Sequence, residues 1–576
     1  MRWNPWIGCW LVSTAALVGC APKTNVSTTA NVPAAYSHAY VSVQEIWFNT
    51  DASASPDDTT WKKFPLTTPT TVDLATSLEG TLSSLTTGLA VPIGTYAQVR
   101  LIPVDASATL LSSASALGAI YNSEVDYTDS AGALHQLPLE MLNPDKGIGV
   151  ATTIQVKGDT SNVFSSDTGT STSSSTSSST SSSTSTSTGV TTAPTFQLAI
   201  SVDGSKDLVP FTYNDVTGIL LNPHIVAYDQ ADVGAISGTL DVSSLTNVSS
   251  PSTSSYLNIQ VTAESLSADG TRHIAVNSAP VSSDGTFTIY PLSTSSSSPT
   301  SYDLVIHGPG IATLIVKGIS VPVSSDATTL TPVNIGTITP RAAAATFQVN
   351  LNNTTPLPAG AMVGFYQTLS GSGEVPYLID TQPIDPFTRS FNADVSEPAD
   401  TIDSGTYSSG TTVTLAAETP TEGANTYRVA GTAPLFTDGA LTTTVNSSQA
   451  SSTTAASVTV PALSAESGAT LDSTTITISK NSSTTYNQGE LIISHNGAIV
   501  QTVPLDTILT QSANGALTVT GLPGGGSSGT FADGLYYLSV RVWNTSDPSG
   551  TLNRETYPTA LDLRTGVLTP YQLNID

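Results

Sequence analysis

The stretch SSDGTFTIYPL, residues 282–292, contains a turn followed by a strand. Asp284-Gly285 is a dipeptide that supplies positive φ in two-residue hairpins, and Thr286 to Tyr290 then alternates polar and apolar residues. Similar dipeptides occur at Asp269-Gly270, Asp438-Gly439, Asn496-Gly497, Asn514-Gly515 and Asp533-Gly534. This repetition predicts an all-β protein made of tandem antiparallel β-sandwich domains.

The length and charge of the chain limit its organisation and its partners. A hydrophobic core rarely grows beyond roughly 250 residues, so 576 residues indicate about three or four domains. The 44 acidic and 17 basic residues give a net charge of −27. This charge disfavours nucleic acid and anionic membrane surfaces as partners, because both are polyanions.

The first twenty residues, MRWNPWIGCWLVSTAALVGC, have the features of a secretory signal. Arg2 supplies a cation, and the apolar run from Ile7 to Val18 is shorter than the about 20 residues that a membrane-spanning helix needs. The end of this stretch, Leu17-Val18-Gly19-Cys20, resembles the lipobox of bacterial lipoproteins. The resemblance implies cleavage between Gly19 and Cys20 and lipid on Cys20. An ordinary secretory signal with an incidental Cys20 is the alternative.

The same resemblance implies a location. Ala21 replaces the aspartate that retains many lipoproteins at the inner membrane, so we expect a lipid-anchored protein of the cell envelope, at the outer membrane. Residues 20–36 are then expected to be a tether. Cys9 leaves with the signal peptide, residues 1–19, so Cys20 is the only cysteine of the mature chain, which therefore forms no internal disulfide.

The first domain is expected at residues 37–230. Its segments VSVQEIWF (Val41 to Phe48), VPIGTYAQVRL (Val91 to Leu101) and LLNPHIVAYD (Leu220 to Asp229) resemble the N-terminal module of lipoproteins in the domain of unknown function 4382 family. The resemblance implies a prealbumin-like β-sandwich and brings no established active site. Alternation in the second segment predicts that Tyr96 and Arg100 share one face of a strand, as a stacked pair that stabilises the sheet.

A low-complexity segment at residues 165–192 interrupts this domain. Every residue from Thr170 to Thr188 is Ser or Thr, and such a run cannot bury enough apolar surface to become ordered. Because it falls between two predicted strands, we expect a disordered insertion in a hairpin. It is either a tolerated repeat or a tract of hydroxyl groups for O-glycosylation.

Three further domains are expected. Residues 233–340 contain VGAISGTLDV (Val233 to Val242) and YDLVIHGPGIATLIVKGISV (Tyr302 to Val321), which resemble a carboxypeptidase-regulatory-like β-sandwich. In that family the sandwich is a spacer, a stabiliser or a carbohydrate-contacting domain. Residues 345–460 have strand patterns without an assignable family, and residues 465–576 are expected to form a C-terminal β-sandwich.

No catalytic residue, metal site or cofactor is predicted. The histidines have no spacing typical of a zinc site, and we expect them to be surface or strand residues; they are His38, His135, His224, His273, His307 and His495. Gly525 to Gly529 matches GxSxG, yet it lies in a Gly/Ser loop where a nucleophile elbow needs a strand before it and a helix after it. The acidic cluster is expected to be a solvated loop rather than a calcium site; its members are Asp380, Asp385, Asp394, Glu397, Asp400 and Asp403.

One covalent possibility concerns Lys480, Glu490 and Asn574. They lie in the order of the isopeptide cross-links found in sandwich adhesins of Gram-positive bacteria. The alternative, which we prefer, is three unconnected residues.

The sequence favours a noncatalytic envelope protein that binds or bridges, with a glycan or a protein as ligand. A structural spacer without a ligand and an extracellular hydrolase are the alternatives. Convergent carboxylates in a deep cleft would favour the hydrolase.

Overall fold

The structure, a computed structural model, describes residues 23–575 apart from gaps. The gaps are residues 34, 78–79, 107, 129–131, 158–194, 214–215, 242, 244–258, 296–297, 325–329, 344–345, 399, 411, 452, 482–484, 512–514, 527–528, 547–552, 558 and 566–570. The signal peptide, Cys20 and the Ser/Thr segment 165–192 lie outside the described residues. Strands make up 57% of the structure and helices 6%, so the all-β prediction of tandem sandwiches is confirmed.

The first sandwich packs a four-stranded sheet, in the order β12-β9-β1-β4, on an eight-stranded sheet, in the order β10-β11-β7-β6-β2-β5-β8 with β3 beside β2. The strands are β1 (Lys23–Asn31), β2 (Tyr36–Asn49), β3 (Lys62–Asp73), β4 (Ser83–Leu89), β5 (Gly94–Pro103), β6 (Glu124–Thr128), β7 (Leu134–Glu140), β8 (Ile148–Val156), β9 (Thr195–Asp203), β10 (Leu208–Tyr213), β11 (Val216–Leu221) and β12 (Val226–Asp229). The helices are α1 (Ser112–Ala116) and α2 (Gly204–Asp207), with 3-10 turns at Leu74–Thr76, Pro144–Lys146 and Gln230–Asp232.

The tether predicted at residues 20–36 is wrong from Lys23 onward. Lys23–Asn31 is strand β1, which pairs in parallel with β9 over its whole length. Val26 is fully buried in the core of the sandwich. The segment orders because its β-branched residues fit a half-buried sheet position between two other strands.

The strands on either side of the Ser/Thr segment do not form a hairpin, contrary to the prediction. The strand before it, β8, is an edge of the eight-stranded sheet, and β9 lies inside the four-stranded sheet. Both strands contribute to one core, Ile154 from β8 and Leu198 from β9. The segment therefore joins the two layers of one sandwich.

The shared face predicted for Tyr96 and Arg100 is also wrong. The pairing of β5 with β8 shifts register between Tyr96 and Gln98, where two residues of β8 lie opposite the single residue Ala97. Such an irregularity interrupts the alternation of side chains between the two faces of the sheet. Tyr96 consequently packs in the core against Phe48, while Arg100 lies on the outer face over the ring of Trp61.

The second sandwich packs the sheet β16-β13-β19 on the sheet β15-β14-β17-β18. Its strands are β13 (Val233–Leu240), β14 (Gln260–Leu266), β15 (His273–Pro280), β16 (Thr286–Ser293), β17 (Thr300–His307), β18 (Leu314–Val321) and β19 (Val333–Ile338). Its core includes Ile236, Phe287 and Leu304. The Asp269-Gly270 and Asp284-Gly285 turns join β14 to β15 and β15 to β16, and both glycines have positive φ.

The third and fourth sandwiches repeat this topology. The seven main strands of each sandwich can be lettered a to g in chain order. With these letters, the second, third and fourth sandwiches each have one sheet in the order d-a-g and one in the order c-b-e-f. In every d-a-g sheet the last strand, g, runs parallel to the first, whereas the prediction had antiparallel sheets only. The third sandwich comprises β20 (Thr346–Leu351), β21 (Met362–Gln367), β22 (Tyr377–Pro383), β23 (Asn392–Ser396), β26 (Thr426–Thr432), β28 (Thr443–Asn446) and β29 (Ala456–Val458).

Insertions modify the third sandwich. The strands β24 (Ile402–Thr406) and β25 (Ala416–Glu418) extend the sheet β15-β14-β17-β18 of the second sandwich, because β24 pairs with β18. This part of the predicted third domain therefore belongs to a sheet of the second sandwich. The strands β27 (Phe436–Thr437) and β30 (Ser464–Ala465) form a separate ribbon. A 3-10 turn spans Ser447–Gln449.

The fourth sandwich comprises the sheets β34-β31-β38 and β33-β32-β35-β36, with β37 beside β35. Its elements are β31 (Thr470–Lys480), β32 (Gln488–His495), β33 (Ala498–Pro504), α3 (Asp506–Leu509), β34 (Gly515–Gly524), β35 (Leu535–Trp543), β36 (Asn553–Thr556), β37 (Leu561–Asp562) and β38 (Tyr571–Ile575).

The sandwiches also contact each other across the chain order. The first and fourth share a buried apolar cluster with the third, which includes Phe211, Ala359 and Trp543. Arg100 of the first donates to Asn496 Oδ1 of the fourth at 2.5 Å. The chain therefore folds back on itself, so that its first and last domains are neighbours.

Candidate functional site

The first three sandwiches meet around two adjoining cavities of about 360 and 350 Å³. Ala275 of the second sandwich, Leu378 and Thr381 of the third, and Lys206 of the first line both cavities. Cavities of this size at domain junctions are where proteins commonly bind small molecules. We refer to the pair as the junction cavities.

Lys206 is placed by the short helix α2, which turns the chain between β9 and β10. Asp203 caps the helix by accepting from the backbone N–H of Ser205 at 3.2 Å. Gly204 is needed here because a Cβ would lie 2.7 Å from the carbonyl oxygen of Asn31. The helix thus packs closely on β1 and directs Lys206 toward the second and third sandwiches.

Lys206 forms an ion pair with Asp203, with 3.0 Å between Nζ and Oδ2. Burial alone would lower the pKa of Lys206, but the carboxylates of Asp203, Asp207 and Glu264 outweigh it and raise that pKa. Burial would likewise raise the pKa of Asp203, and the ammonium of Lys206 holds it below its ordinary value instead. Both partners are therefore charged at neutral pH.

Two buried groups near the cavities have unused hydrogen-bonding capacity. His307, at the end of β17, lines the larger cavity, and its buried Nδ1 has no partner among the described residues. Glu264 is fully buried behind Leu378, whose N–H donates to Oε2 at 3.3 Å, while Oε1 has no partner among the described residues. Burial raises the pKa of Glu264 well above its ordinary value and lowers that of His307. Unpaired buried groups of this kind are uncommon in proteins.

The larger cavity also contains two carboxylates of the predicted acidic cluster. Asp380 is on β22, where it accepts from the N–H groups of Thr381 at 2.7 Å and Ser396 at 3.3 Å. Burial raises its pKa, although His307 opposes this effect. Asp394 on β23 is exposed at the wall of the same cavity. With the hydroxyl of Ser278 and the amide of Gln382, the lining offers many hydrogen-bond acceptors and one lysine.

The smaller cavity has two aromatic walls. Tyr228 of the first sandwich and Tyr366 of the third both line it, together with Asn277 of the second. Burial raises the pKa of each tyrosine to about 12, so both keep their hydroxyl protons at neutral pH. Aromatic rings beside hydrogen-bonding groups suit a ligand with an apolar face and polar edges.

The other acidic residues are dispersed. Asp403 pairs with Arg341 at 2.7 Å, Asp385 accepts from the backbone N–H groups of Phe387 and Thr388, and Asp400 accepts from Asn425. Glu397 follows β23, outside the cavity lining. Among the described residues, no three His, Cys, Asp or Glu side chains are grouped so that they could hold a metal ion.

The histidines occupy separate positions. His38 contacts Asp73 at 2.7 Å, and His135 stacks on Tyr127. His273 stacks on Tyr377. His224 lies 3.2 Å from the carboxylate of Asp207, and His495 lies 3.0 Å from the backbone carbonyl of Leu535. His307 is the histidine of the larger junction cavity.

The two remaining motifs are not assembled into sites. The GxSxG match follows strand β34 directly, Ser527 lies outside the described residues, and the next described element is strand β35 instead of a helix. Lys480 donates to the carbonyl of Leu509, and Asn574 is exposed on β38. The structure therefore does not bring the Lys480 amine to the Asn574 amide.

Sequence reasoning missed Lys206. The available signal was a lysine within Asp203 to Asp207, DGSKD, directly after a strand, in a chain with only 17 lysines and arginines. Its importance depends on the second and third sandwiches, which a local pattern cannot show.

No helix in the described part of the chain is long and apolar enough to cross a membrane. The search of curated proteins found no match. A solved structure described as a "putative adhesin from Bacteroides ovatus ATCC 8483" aligns with 10% identity over 60% of this chain and 93% of the other, with a TM-score of 0.13. A TM-score this low does not indicate a shared fold.

Residues 24–209 match the family described as Domain of unknown function (DUF4382). The match begins in β1, consistent with the strand at Lys23–Asn31, and includes Lys206. The chain therefore carries a DUF4382 domain at residues 24–209, which forms most of its first sandwich and supplies the lysine of the junction cavities.

Proposed function

We propose that this protein is a noncatalytic, lipid-anchored protein of the cell envelope that binds a neutral, hydroxyl-rich ligand, such as a glycan, in the junction cavities. The observation that carries the proposal is the pair of cavities between three sandwiches, with Lys206 as a shared wall. Its lining carboxylates, amides and hydroxyls accept hydrogen bonds from hydroxyl groups. The carboxylates disfavour an anionic ligand, and nucleic acid is not a proposed partner.

A small ligand fits this site better than a protein. Specific protein interfaces bury about 800 Å² on each partner, usually on an open surface. The junction cavities are recesses of about 360 and 350 Å³, at the lower end of the volumes typical of small-molecule sites. A monosaccharide or disaccharide end of a longer glycan is of the right size.

The anchor in this proposal is acyl lipid on Cys20, with cleavage after Gly19 and an outer-membrane location. Its support is the lipobox-like Leu17-Val18-Gly19-Cys20 and the short apolar run before it. We also propose that the second sandwich is of the carboxypeptidase-regulatory-like type. Because the third and fourth sandwiches have the same strand order, the proposal extends to them.

A matched pair of cavity variants tests ligand binding. The mature chain, unacylated at Cys20, is titrated calorimetrically with a panel of neutral bacterial and plant oligosaccharides. Ala275→Phe fills the wall that the two cavities share, whereas Ala417→Phe makes the same change at an exposed position of β25. We expect at least one saccharide to bind the parent and the Ala417→Phe protein, and to bind Ala275→Phe at least about tenfold more weakly, a loss of about 1.4 kcal/mol. Failure of every saccharide, or equal binding by both variants, would refute the proposal.

A hydrolase is the second candidate, because Asp380 and Asp394 line one cavity. Glycosidases use two carboxyl groups in unlike environments, and here one is buried and the other exposed. However, both oxygens of Asp380 already accept backbone N–H groups. We therefore expect no glycoside hydrolysis by the mature chain. Hydrolysis that is lost in Asp394→Asn would establish the enzyme instead.

An extended spacer is the less favoured third possibility. A spacer gains length from a linear arrangement of domains, and here the fourth sandwich packs against the first through Arg100 and Asn496. This arrangement shortens the molecule.

A further inference from the structure

One end of the first sandwich is close to the proposed lipid anchor. Cys20 precedes Lys23, the first residue of β1, by three residues, and three residues of any conformation span at most about 11 Å. The predicted seventeen-residue tether would have allowed the domain to move freely above the membrane. A strand that begins at Lys23 removes that freedom.

The residues at this end are an exposed isoleucine and exposed lysines. Thr24 pairs with Leu89 of β4, and the segment between β4 and β5 carries Ile93, whose side chain is 62% exposed. The carbonyl of Pro92 accepts from the hydroxyl of Tyr96 at 2.7 Å, and Lys62 Nζ donates to the same hydroxyl at 3.2 Å. Lys62 and Ile93 therefore lie together, at the end where β1 begins.

We propose that this end of the first sandwich rests on the lipid bilayer, with Ile93 inserted at the headgroup boundary and Lys23 and Lys62 beside lipid phosphates. The inference rests on the proposed acylation of Cys20, which holds this end within about 11 Å of the membrane. A large exposed apolar residue gains free energy by entering the interface. The net charge of −27 belongs to the whole chain, and most of that charge lies further from the bilayer than the about 8 Å over which salt screens surface charges. Lysines at the membrane surface are therefore attracted to lipid phosphates although the chain as a whole is acidic.

The opposite end of the sandwich also exposes apolar residues. The short connection between Cys20 and Lys23 determines which of the two ends can reach the membrane. Leu117 and Ile120 lie beside α1 and are 46% and 53% exposed. The backbone carbonyl of Leu117 accepts from the hydroxyl of Tyr40 on β2. Further along β2, eight residues after Tyr40, Phe48 pairs with Lys62. Eight strand residues span about 26 Å, which is beyond the reach of the anchor.

The experiment uses Cys20, the only cysteine of the mature chain, as a coupling site. Mature protein is attached through Cys20 to a maleimide lipid in vesicles of phosphatidylcholine and phosphatidylglycerol, with or without brominated acyl chains that quench tryptophan. Ile93→Trp is compared with Leu117→Trp, and the parent protein gives the background from its own tryptophans. Chemical coupling separates this inference from acylation in the cell, which is tested by the processing of the precursor.

We expect bromine to quench the added tryptophan of Ile93→Trp and to leave that of Leu117→Trp unchanged. Adding Lys62→Glu should weaken the quenching of Ile93→Trp, whereas adding Lys317→Glu, a lysine of the second sandwich that pairs with Glu374, should not. No quenching of Ile93→Trp, or equal quenching of Leu117→Trp, would overturn the orientation. Equal quenching with Lys62→Glu and Lys317→Glu would overturn the lysine contact.

Discussion

The guanidinium of Arg541 in the fourth sandwich forms an ion pair with the carboxylate of Glu140 in the first, across 401 positions of sequence. Arg541 is 3% exposed and lies 5.1 Å from the ring centroids of both Phe211 and Phe387, which belong to the first and third sandwiches. One cation therefore connects three domains. The same carboxylate also pairs with Arg554, which is half exposed.

Replacing Arg541 should uncouple the first and fourth sandwiches. Arg541→Met leaves Glu140 buried without its main partner, and breaking a buried ion pair in this way costs about 3–5 kcal/mol. Arg554→Met removes the exposed partner of the same carboxylate and should cost less than about 1 kcal/mol. Denaturant unfolding of the full mature chain measures both, and equal shifts of the two midpoints would contradict the assigned role.

The stability of the fourth sandwich should fall as the pH rises from about 4.5 to about 7. Burial and then the nearby charge of Asp506 raise the pKa of Glu490 from 4.5 to about 7. A pKa that is higher in the folded state than in the unfolded state means that folding favours the protonated form of Glu490. This contribution to stability is complete at pH values below the unfolded-state pKa. It is lost as the pH rises through the folded-state pKa. The difference corresponds to roughly 3 kcal/mol.

The measurement is thermal unfolding of the mature chain between pH 4 and pH 8. Glu490→Gln is neutral throughout, and it should remove this contribution and stabilise the protein at pH 8. The matched control is Glu466→Gln, at an exposed position before β31. If the slope persists in Glu490→Gln, another group causes it.

Shortening the Ser/Thr segment should leave the fold intact. Replacing residues 170–188 by a short Gly/Ser loop is expected to remove no packed contact, and loop-closure entropy changes slowly with length, so the gain is about 1 kcal/mol or less. Limited proteolysis of the parent should cut in or beside the segment. The two pieces should remain together because β8 and β9 pack in one core. Pieces that separate and fold independently would instead indicate a linker between domains.

Changing Cys20 should prevent anchoring. Cys20→Ser removes the thiol that lipid would modify, and we expect an unprocessed precursor without lipid. A mature chain that starts after Cys20, behind an ordinary secretory signal, should appear in the soluble fraction. Recovery of that second protein with membranes, without any partner, would contradict the lipid anchor.

Much of the fold could be predicted because its signals are local. The Asn496-Gly497 dipeptide predicts a two-residue hairpin, and both residues have positive φ, at 52° and 90°, between β32 and β33. Strand alternation in Thr286 to Tyr290 likewise matches β16. These features depend on the conformational preferences of adjacent residues.

The candidate site could not be predicted in the same way. Sequence placed Asp380 and Asp394 in one acidic cluster and His307 among scattered histidines, and it gave no reason to connect them with Lys206. Their proximity results from the packing of three sandwiches, which no local pattern encodes. The GxSxG match could be set aside from sequence alone, and in the structure the next described element after it is strand β35 and not a helix.

The sequence by itself determined the strand content, the hairpin turns and the division of a long chain into several cores, because each follows from the order of neighbouring residues. Only the tertiary structure decided which strands close each sheet in parallel, that Tyr96 and Arg100 lie on opposite faces of β5, and which sandwiches surround Lys206. Those outcomes depend on contacts between residues tens to hundreds of positions apart. Such contacts are selected by how well whole surfaces pack and pair their buried polar groups.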